Sequence, residues 1–321
     1  MVSAQQRVGI EADILAASPA MAIDDIESSW ENPSNGRYAQ ARGRLSTYLE
    51  MSAQFTLGVQ RRWDYLLGFS QETAQFYSRL ENNQIEDGTY ALDFSVNAAQ
   101  SDALFAQYFI PLSFESSLEV TAYLLKGERM QDGRLTGEGN VQGSNLSYDW
   151  QLDYAYDENR LFDSGRDSLT GWGHSFDLAF SAQINPDHLL KVAVKDLFYA
   201  IYWQDVPQDK GCLNRPLSSS CSVYSSRQQH TQIFPAFVRT QWLVTQQNHT
   251  YRFAAEAWHR YTGLLMGWGY EGFAADVDVM NEKLNIGYES SWLKVKWGLD
   301  NLNASEAKHW QLNLDVNWPI L

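Results

Sequence analysis

The sequence predicts an all-β fold, a closed antiparallel transmembrane β-barrel of about 14–16 strands. Three observations carry this. First, residues 311–320 alternate without a break. Leu312, Leu314, Val316, Trp318 and Ile320 fall on one face, and Gln311, Asn313, Asp315, Asn317 and Pro319 on the other. A strand carrying Asn and Asp on one side has one dry face and one wet face. Second, the same period of two recurs from about Gly43 to the end, in segments separated by turn residues. Third, mean hydropathy is −0.40 and no stretch approaches the ~18 apolar residues of a membrane-spanning helix. A barrel strand, being half apolar, averages to hydrophilic. The 14% aromatic content, with 12 Trp and 17 Tyr, suits rings that settle at membrane–water boundaries.

In chain order, Phe55, Leu57, Val59, Trp63, Tyr65, Leu67 and Phe69 share a face, as do Tyr90, Leu92, Phe94 and Val96, then Leu104, Ala106, Tyr108 and Ile110. The clearest run is SNLSYDWQLDYAY, with Leu146, Tyr148, Trp150, Leu152, Tyr154 and Tyr156 on one side. No helix places six such residues on one face at a spacing of two, and these are expected to meet lipid. Trp172, Phe176, Leu178, Phe180, Ala182 and Ile184 follow, then Leu190, Val192 and Val194. Later come Phe234, Ala236, Val238 and Trp242, then Tyr251, Phe253, Ala255 and Ala257, then Leu293, Val295, Trp297 and Leu299. Short turns at 185–187 and 246–248 contrast with loops expected at 128–134, 157–171, 204–229 and 300–308, all on one side of the barrel. Register is least defined at 71–87 and 260–290, where Gly267, Gly269 and Gly272 interrupt the pattern. Two domains are expected: a helical or irregular, small-residue-rich extension over 1–42, serving as a plug or a periplasmic tail, and a barrel over 43–321.

A net charge of −15 argues against nucleic acid, which needs clustered Lys and Arg, and against a polybasic lipid anchor. Cys212 and Cys221, nine positions apart in GCLNRPLSSSC, are expected to form a loop disulfide in an oxidising compartment. Two thiolates without a second pair or a nearby His do not make a zinc site, so no metal or cofactor is expected. Met1 reads as an added initiator before a mature chain, with no signal peptide visible.

The closing strand, with Trp318 two residues before Ile320, resembles the C-terminal assembly signal of Gram-negative outer-membrane β-barrels of porin-like type. Ile320 stands where that signal usually has Phe, and Leu321 follows it. The resemblance implies an outer-membrane location, outer-membrane lipid and lipopolysaccharide around the chain, and the barrel assembly machinery as a partner. AMAIDDIESSWENP, from Ala20 to Pro33, resembles the N-terminal hatch of fatty-acid-transporter-type barrels, and VAVKDLF, from Val192 to Phe198, resembles a strand segment of that group. Ser34 departs from the Ala usual there after Asn-Pro.

The six histidines, His174, His188, His230, His249, His259 and His309, show no nucleophile–base spacing, so no catalytic residue and no enzyme activity is expected. His259 and His174 read as aromatics of the outer girdle. The tract from Leu264 to Tyr270 reads as girdle too, with sugar stacking as the alternative. Asp93, Asp149, Asp153, Asp177, Lys191, Lys195, Lys294, Lys296, Asn313, Asp315 and Asn317 lie on polar faces and are candidates to line the lumen. There they either select solutes by charge or fill the interior as mutual ion pairs. By alternation Arg61 points toward lipid and snorkels, unless a bulge turns it inward. The expected function is passage of small solutes. The rivals are a barrel anchoring a larger envelope machine, alone or as a homo-oligomer, and a water-soluble β-sandwich or propeller with a sugar-binding surface.

Overall fold

The structure is a computed structural model that describes residues 6–27, 30, 33–143, 145–160, 164–216 and 221–319. In chain order the elements are β1 (Arg7–Ala17), β2 (Tyr38–Glu50), β3 (Phe55–Phe69), helix α1 (Gln71–Glu81), β4 (Gly88–Pro111), β5 (Ser116–Gln142), β6 (Asn145–Tyr156), β7 (Glu158–Asn159) and β8 (Ser164–Arg166). The second half holds β9 (Gly171–Asn185), β10 (His188–Arg215), β11 (Val223–Ile233), β12 (Phe237–Gln246), β13 (His249–Trp258), β14 (Tyr261–Tyr270), β15 (Phe273–Asp278), β16 (Lys283–Glu289), β17 (Leu293–Leu299) and β18 (His309–Pro319). Fourteen strands close into one antiparallel barrel. The path runs β1 to β5, then β9, β10 and β12 to β18, and β18 pairs back onto β1 with Ile10 opposite Val316 and Asp13 opposite Asn313. Closure leaves no unpaired edge in the wall, the condition for a sheet in hydrocarbon.

The longest connections sit at one end, as expected, but short turns occur at both. At the end holding both termini the links are short, among them 186–187, 247–248 and 271–272. Gln247 at φ +55° and Glu271 at φ +47° supply the left-handed backbone of tight hairpins. The opposite, upper end holds the long connections, among them 18–37 and 300–308, together with a tight turn at 259–260. Outward positions between the two ends form an apolar belt: Leu45, Val59, Leu104, Leu124, Trp172, Phe253, Leu264, Met266, Leu284 and Ile286 are each at least 40% exposed. His174, Trp268 and Tyr270 also lie on this outer surface, beside other rings.

Several expectations are corrected. The segment 7–17 is a wall strand and not part of an extension, because Glu11 and Asp13 face Asp315 and Asn313 in register while the intervening Ile and Ala face outward. The supposed loop at 128–134 lies inside β5, which continues with β4 and β10 above the wall. There β6 occupies the slot above β9, between β5 and β10, and β11 stands above β12. The segment 157–171 carries β7 and β8, and 204–229 is mostly the β10–β11 hairpin, joined by the Cys212–Cys221 disulfide. The stretch 71–87 contains α1, and 260–290 is three short strands. Phe234 leaves the face of Val238 and Trp242 and packs on Tyr199 among inward residues. Ile320 and Leu321 lie outside the described residues.

The strongest alternation in the chain meets protein, not lipid. Leu152, Tyr154 and Tyr156 are 5–8% exposed. They pack with Val96, Leu135 and Leu213, and the Tyr156 hydroxyl donates to Asp209 at 3.1 Å. Alternation reports one dry face without saying what dries it. On the same side of this upper sheet, Phe76 of α1 packs on Leu92 and Val141. Ser70 caps the helix by accepting from the Thr73 N–H at 3.0 Å. Thr73 and Glu72 in turn accept from the Asp93 and Ala91 N–H groups of β4, so the helix start covers an otherwise bare strand edge.

The belt and the covered sheet should respond differently to charge. Leu104→Lys or Leu264→Lys places a charge on the lipid side, should cost between about 1 and 4 kcal/mol, and should lower the heat-modifiable folded band after refolding into liposomes. Trp150→Lys should leave that band intact. Equal loss at all three positions would contradict the assignment of faces.

Candidate functional site

Inward-facing positions of the wall bring an ionic cluster to the middle of the lumen. β2 presents Arg42 and Arg44, β3 presents Arg62 and Asp64, β1 presents Asp13, and β10 reaches across with Lys195, Asp196 and Tyr199. Asp196 is the hub. It receives Arg62, receives Arg44 at 3.0 Å, lies 3.6 Å from Arg42, and accepts from the Ser175 hydroxyl at 3.3 Å. Its own N–H donates to Asp177 at 2.7 Å. Adjacent strand residues point to opposite faces, so Lys195 and Asp196 share the lumen only because β10 bulges. Its pairing with β9 slips between Val194 and Leu197 and again before Ala200, with Asp196 at φ +61° and Phe198 at φ +55°. Such non-glycine conformations cost about 1–3 kcal/mol each and persist where the surroundings over-determine them.

The surrounding bonds are short. Arg44 meets Asp64 at 2.6 Å, the Tyr199 hydroxyl meets Asp64 at 3.0 Å, and Lys195 and Asn313 both reach Asp13 at 2.8 Å. The Arg62 guanidinium carbon lies 4.4 Å from the centroid of the Tyr199 ring and 5.0 Å from that of Tyr123, within cation–π range of both. A cavity of about 110 Å³ remains beside this cluster, bordered also by Glu11, Glu119 and Asp177. Above the cluster the inward residues turn apolar: Leu15, Leu66, Ile201, Trp203, Phe237 and Trp258 form one packed layer.

A second inward cluster lines β12 to β18. The Tyr261 hydroxyl sits 2.8 Å from Glu256 and 3.0 Å from Asp278, while Lys283 donates to Tyr261 at 3.1 Å and to Gln311 at 3.0 Å. Lower down, Asp276 is held by Arg252 at 2.9 Å and Lys296 at 3.0 Å. Glycine makes the room. A Cβ at Gly267 would strike the Asp276 carboxylate, and one at Gly298 would strike Asn285. Of the glycines that blur the sequence pattern, Gly267 thus clears the inner face for a charged side chain, while Gly272 supplies a turn at φ +87°.

Of the sequence candidates, Asp177, Lys191, Lys195, Lys294, Lys296, Asn313, Asp315 and Asn317 have inward register positions. Asp177 accepts from Tyr123 at 2.9 Å, Asp315 accepts from Tyr48 at 2.8 Å, and Lys294 pairs with Glu289 at 3.5 Å near the lower mouth. Asp93, Asp149 and Asp153 stand instead on the exposed face of the sheet above the wall, where Asp93 pairs with Arg134 at 2.9 Å and Asp153 with Lys210 at 3.2 Å. Arg61 faces outward and is neutralised there by Asp102 at 2.8 Å and Glu128 at 2.5 Å, near the upper edge of the belt. Arg42, Arg44, Arg62, Asp13, Asp64 and Asp196 are not among the sequence candidates. The alternation in ARGRLS, residues 41–46, carried a signal for the first two.

No model of a known protein family matches this sequence, and no curated protein matches it. Among solved structures, the chain is similar to the TodX deltaS2S3 mutant monoaromatic hydrocarbon channel, at 9% identity and TM-score 0.45 over 98% of this chain and 90% of that one. It is similar to the toluene transporter TbuX of Ralstonia pickettii, at 10% identity and TM-score 0.34 over 98% and 89%. It is also similar to a Pseudomonas aeruginosa FadL homologue, at 11% identity and TM-score 0.29 over 97% and 87%. At these scores the likenesses carry no argument about this chain.

Removing the hub carboxylate strands buried arginines. Asp196→Ala should cost about 3–5 kcal/mol in guanidinium unfolding from lipid, the range for breaking a buried pair from one side. Arg134→Ala, which removes an exposed pair, should cost at most about 1 kcal/mol. Equal effects would contradict the hub.

Proposed function

We propose that this chain resides in the outer membrane of a Gram-negative bacterium and passes small solutes through a lumen that is shut at rest by the charge cluster around Asp196. The outward apolar belt and inward charges support the membrane location, since each faces the solvent it suits. The observation that carries the gate is the double bulge of β10. It places Lys195 and Asp196 across the lumen against β1, β2 and β3 on a backbone held in two costly conformations. A segment held by ion pairs and strained in place is a candidate two-state element. The inward Asp177, Lys191, Lys294, Lys296 and Asp315 would then set selectivity by charge.

A second reading, a closed barrel that anchors an envelope assembly, is favoured by the apolar layer of Leu66, Trp203, Phe237 and Trp258 above the cluster. Planar-bilayer recording separates the two. Wild type should be nearly silent, and Asp196→Asn, which keeps shape while loosening the cluster, should raise open probability about tenfold or more. Silence in both, with the variant folded and inserted, would sink the gate and leave the anchor.

A further inference from the structure

The outer surface of the wall carries a groove that solute passage does not use. Above the outward charged row of Arg61, Asp102 and Glu128, the outer face of β2 to β4 is overhung on one side by Ile23, Asp24 and Ile26 and on the other by Asp157, Glu158 and Arg160. Between them lies a space of about 920 Å³. Its floor is the apolar continuation of the belt, with Ala39, Leu67, Val96 and Ala98, and Ile23 and Ile26 overhang it. Arg129 and Arg160 stand at its rim, both exposed.

Asp24, Asp157 and Glu158 share the lining with these arginines. Glu158 is taken by Arg166, and Asp157 accepts from the Met130 N–H at 3.3 Å with Arg166 at 3.9 Å. Burial raises the Asp157 carboxyl from its ordinary value, with the charges of Arg166 and Arg129 opposing the rise. Among the described residues no carboxylate comes within ion-pair distance of Arg129 or Arg160. Two arginines over an apolar trough, next to the level where the belt gives way to charge, match a phosphate-bearing amphiphile. The guanidinium forks take phosphate oxygens in pairs, and the floor takes an acyl chain.

We propose that this groove binds a phosphate-bearing acylated lipid of the outer leaflet, its phosphate between Arg129 and Arg160 and one acyl chain along Ala39, Leu67, Val96 and Ala98. The site rests on the membrane reading but not on any conducting role.

The test uses the full chain in mild detergent with diphosphoryl lipid A added, the bound lipid being counted by native mass spectrometry. Wild type should retain one lipid that survives detergent exchange. Arg129→Ala with Arg160→Ala should weaken retention about tenfold or more. Arg134→Ala, an arginine on the opposite face of the upper sheet, should leave it unchanged, as should excess inorganic phosphate. Lipid A stripped of phosphate should bind as poorly to wild type as the intact lipid does to the double variant. Equal retention by wild type and the folded double variant, or by both lipids, would overturn the proposal, as would displacement by inorganic phosphate. Liposome insertion of the same samples keeps the membrane reading separate, because a chain that inserts yet holds no lipid refutes only the groove.

Discussion

Everything in this fold follows from pairing β18 with β1. In hydrocarbon an unpaired N–H or C=O has no water to turn to, so a sheet of this size stands in a bilayer only when its first and last strands meet. That closure fixes register around the ring, and register fixes which residues share the lumen. Asp13 meets Asn313 and lies within reach of Lys195 because β1 and β18 are neighbours. A slip of one residue would send Glu11 and Asp13 to lipid and Ile10 and Ala12 to the interior.

Closure creates a problem that the interior must solve. Inward positions are cut off from bulk water, so each charge there needs a partner. The chain meets this with clusters instead of isolated pairs, and it bends β10 to bring one more carboxylate to three arginines. Opposite, it removes side chains at Gly267 and Gly298 so that Asp276 and Asn285 fit. The result is a lumen filled by ion pairs and capped by aromatics. On the proposed reading, its conductance depends on whether the bent strand moves.

Much of this was legible in the residues. The polar side of 311–317 is the inner side, the turns at 185–187 and 246–248 share one end, and Cys212 pairs with Cys221. What escaped has physical causes. β1 alternates, but its apolar positions include Ala12 and Ala16, small enough to pass for a helix or an irregular tail. Leu152, Tyr154 and Tyr156 alternate as a lipid-facing strand does, yet a local sequence does not reveal that Phe76 packs on the same side or that the Tyr154 hydroxyl reaches the Glu158 carbonyl. Asp196 was hidden by its neighbour, because strict alternation allows only one of Lys195 and Asp196 to face inward. A bulge is set by tertiary contacts that no spacing rule records.

The central claim is that one surface of this sheet meets acyl chains while the upper sheet meets protein. Nitroxide labels in liposomes measure this directly, through collision with oxygen, which concentrates in lipid, and with a water-soluble nickel chelate. Labels at Val59, Leu104 and Ile286 should collide with oxygen and be shielded from nickel, and labels at Leu152 and Tyr154 should be shielded from both. Free collision with nickel at Val59, Leu104 and Ile286 would contradict the account.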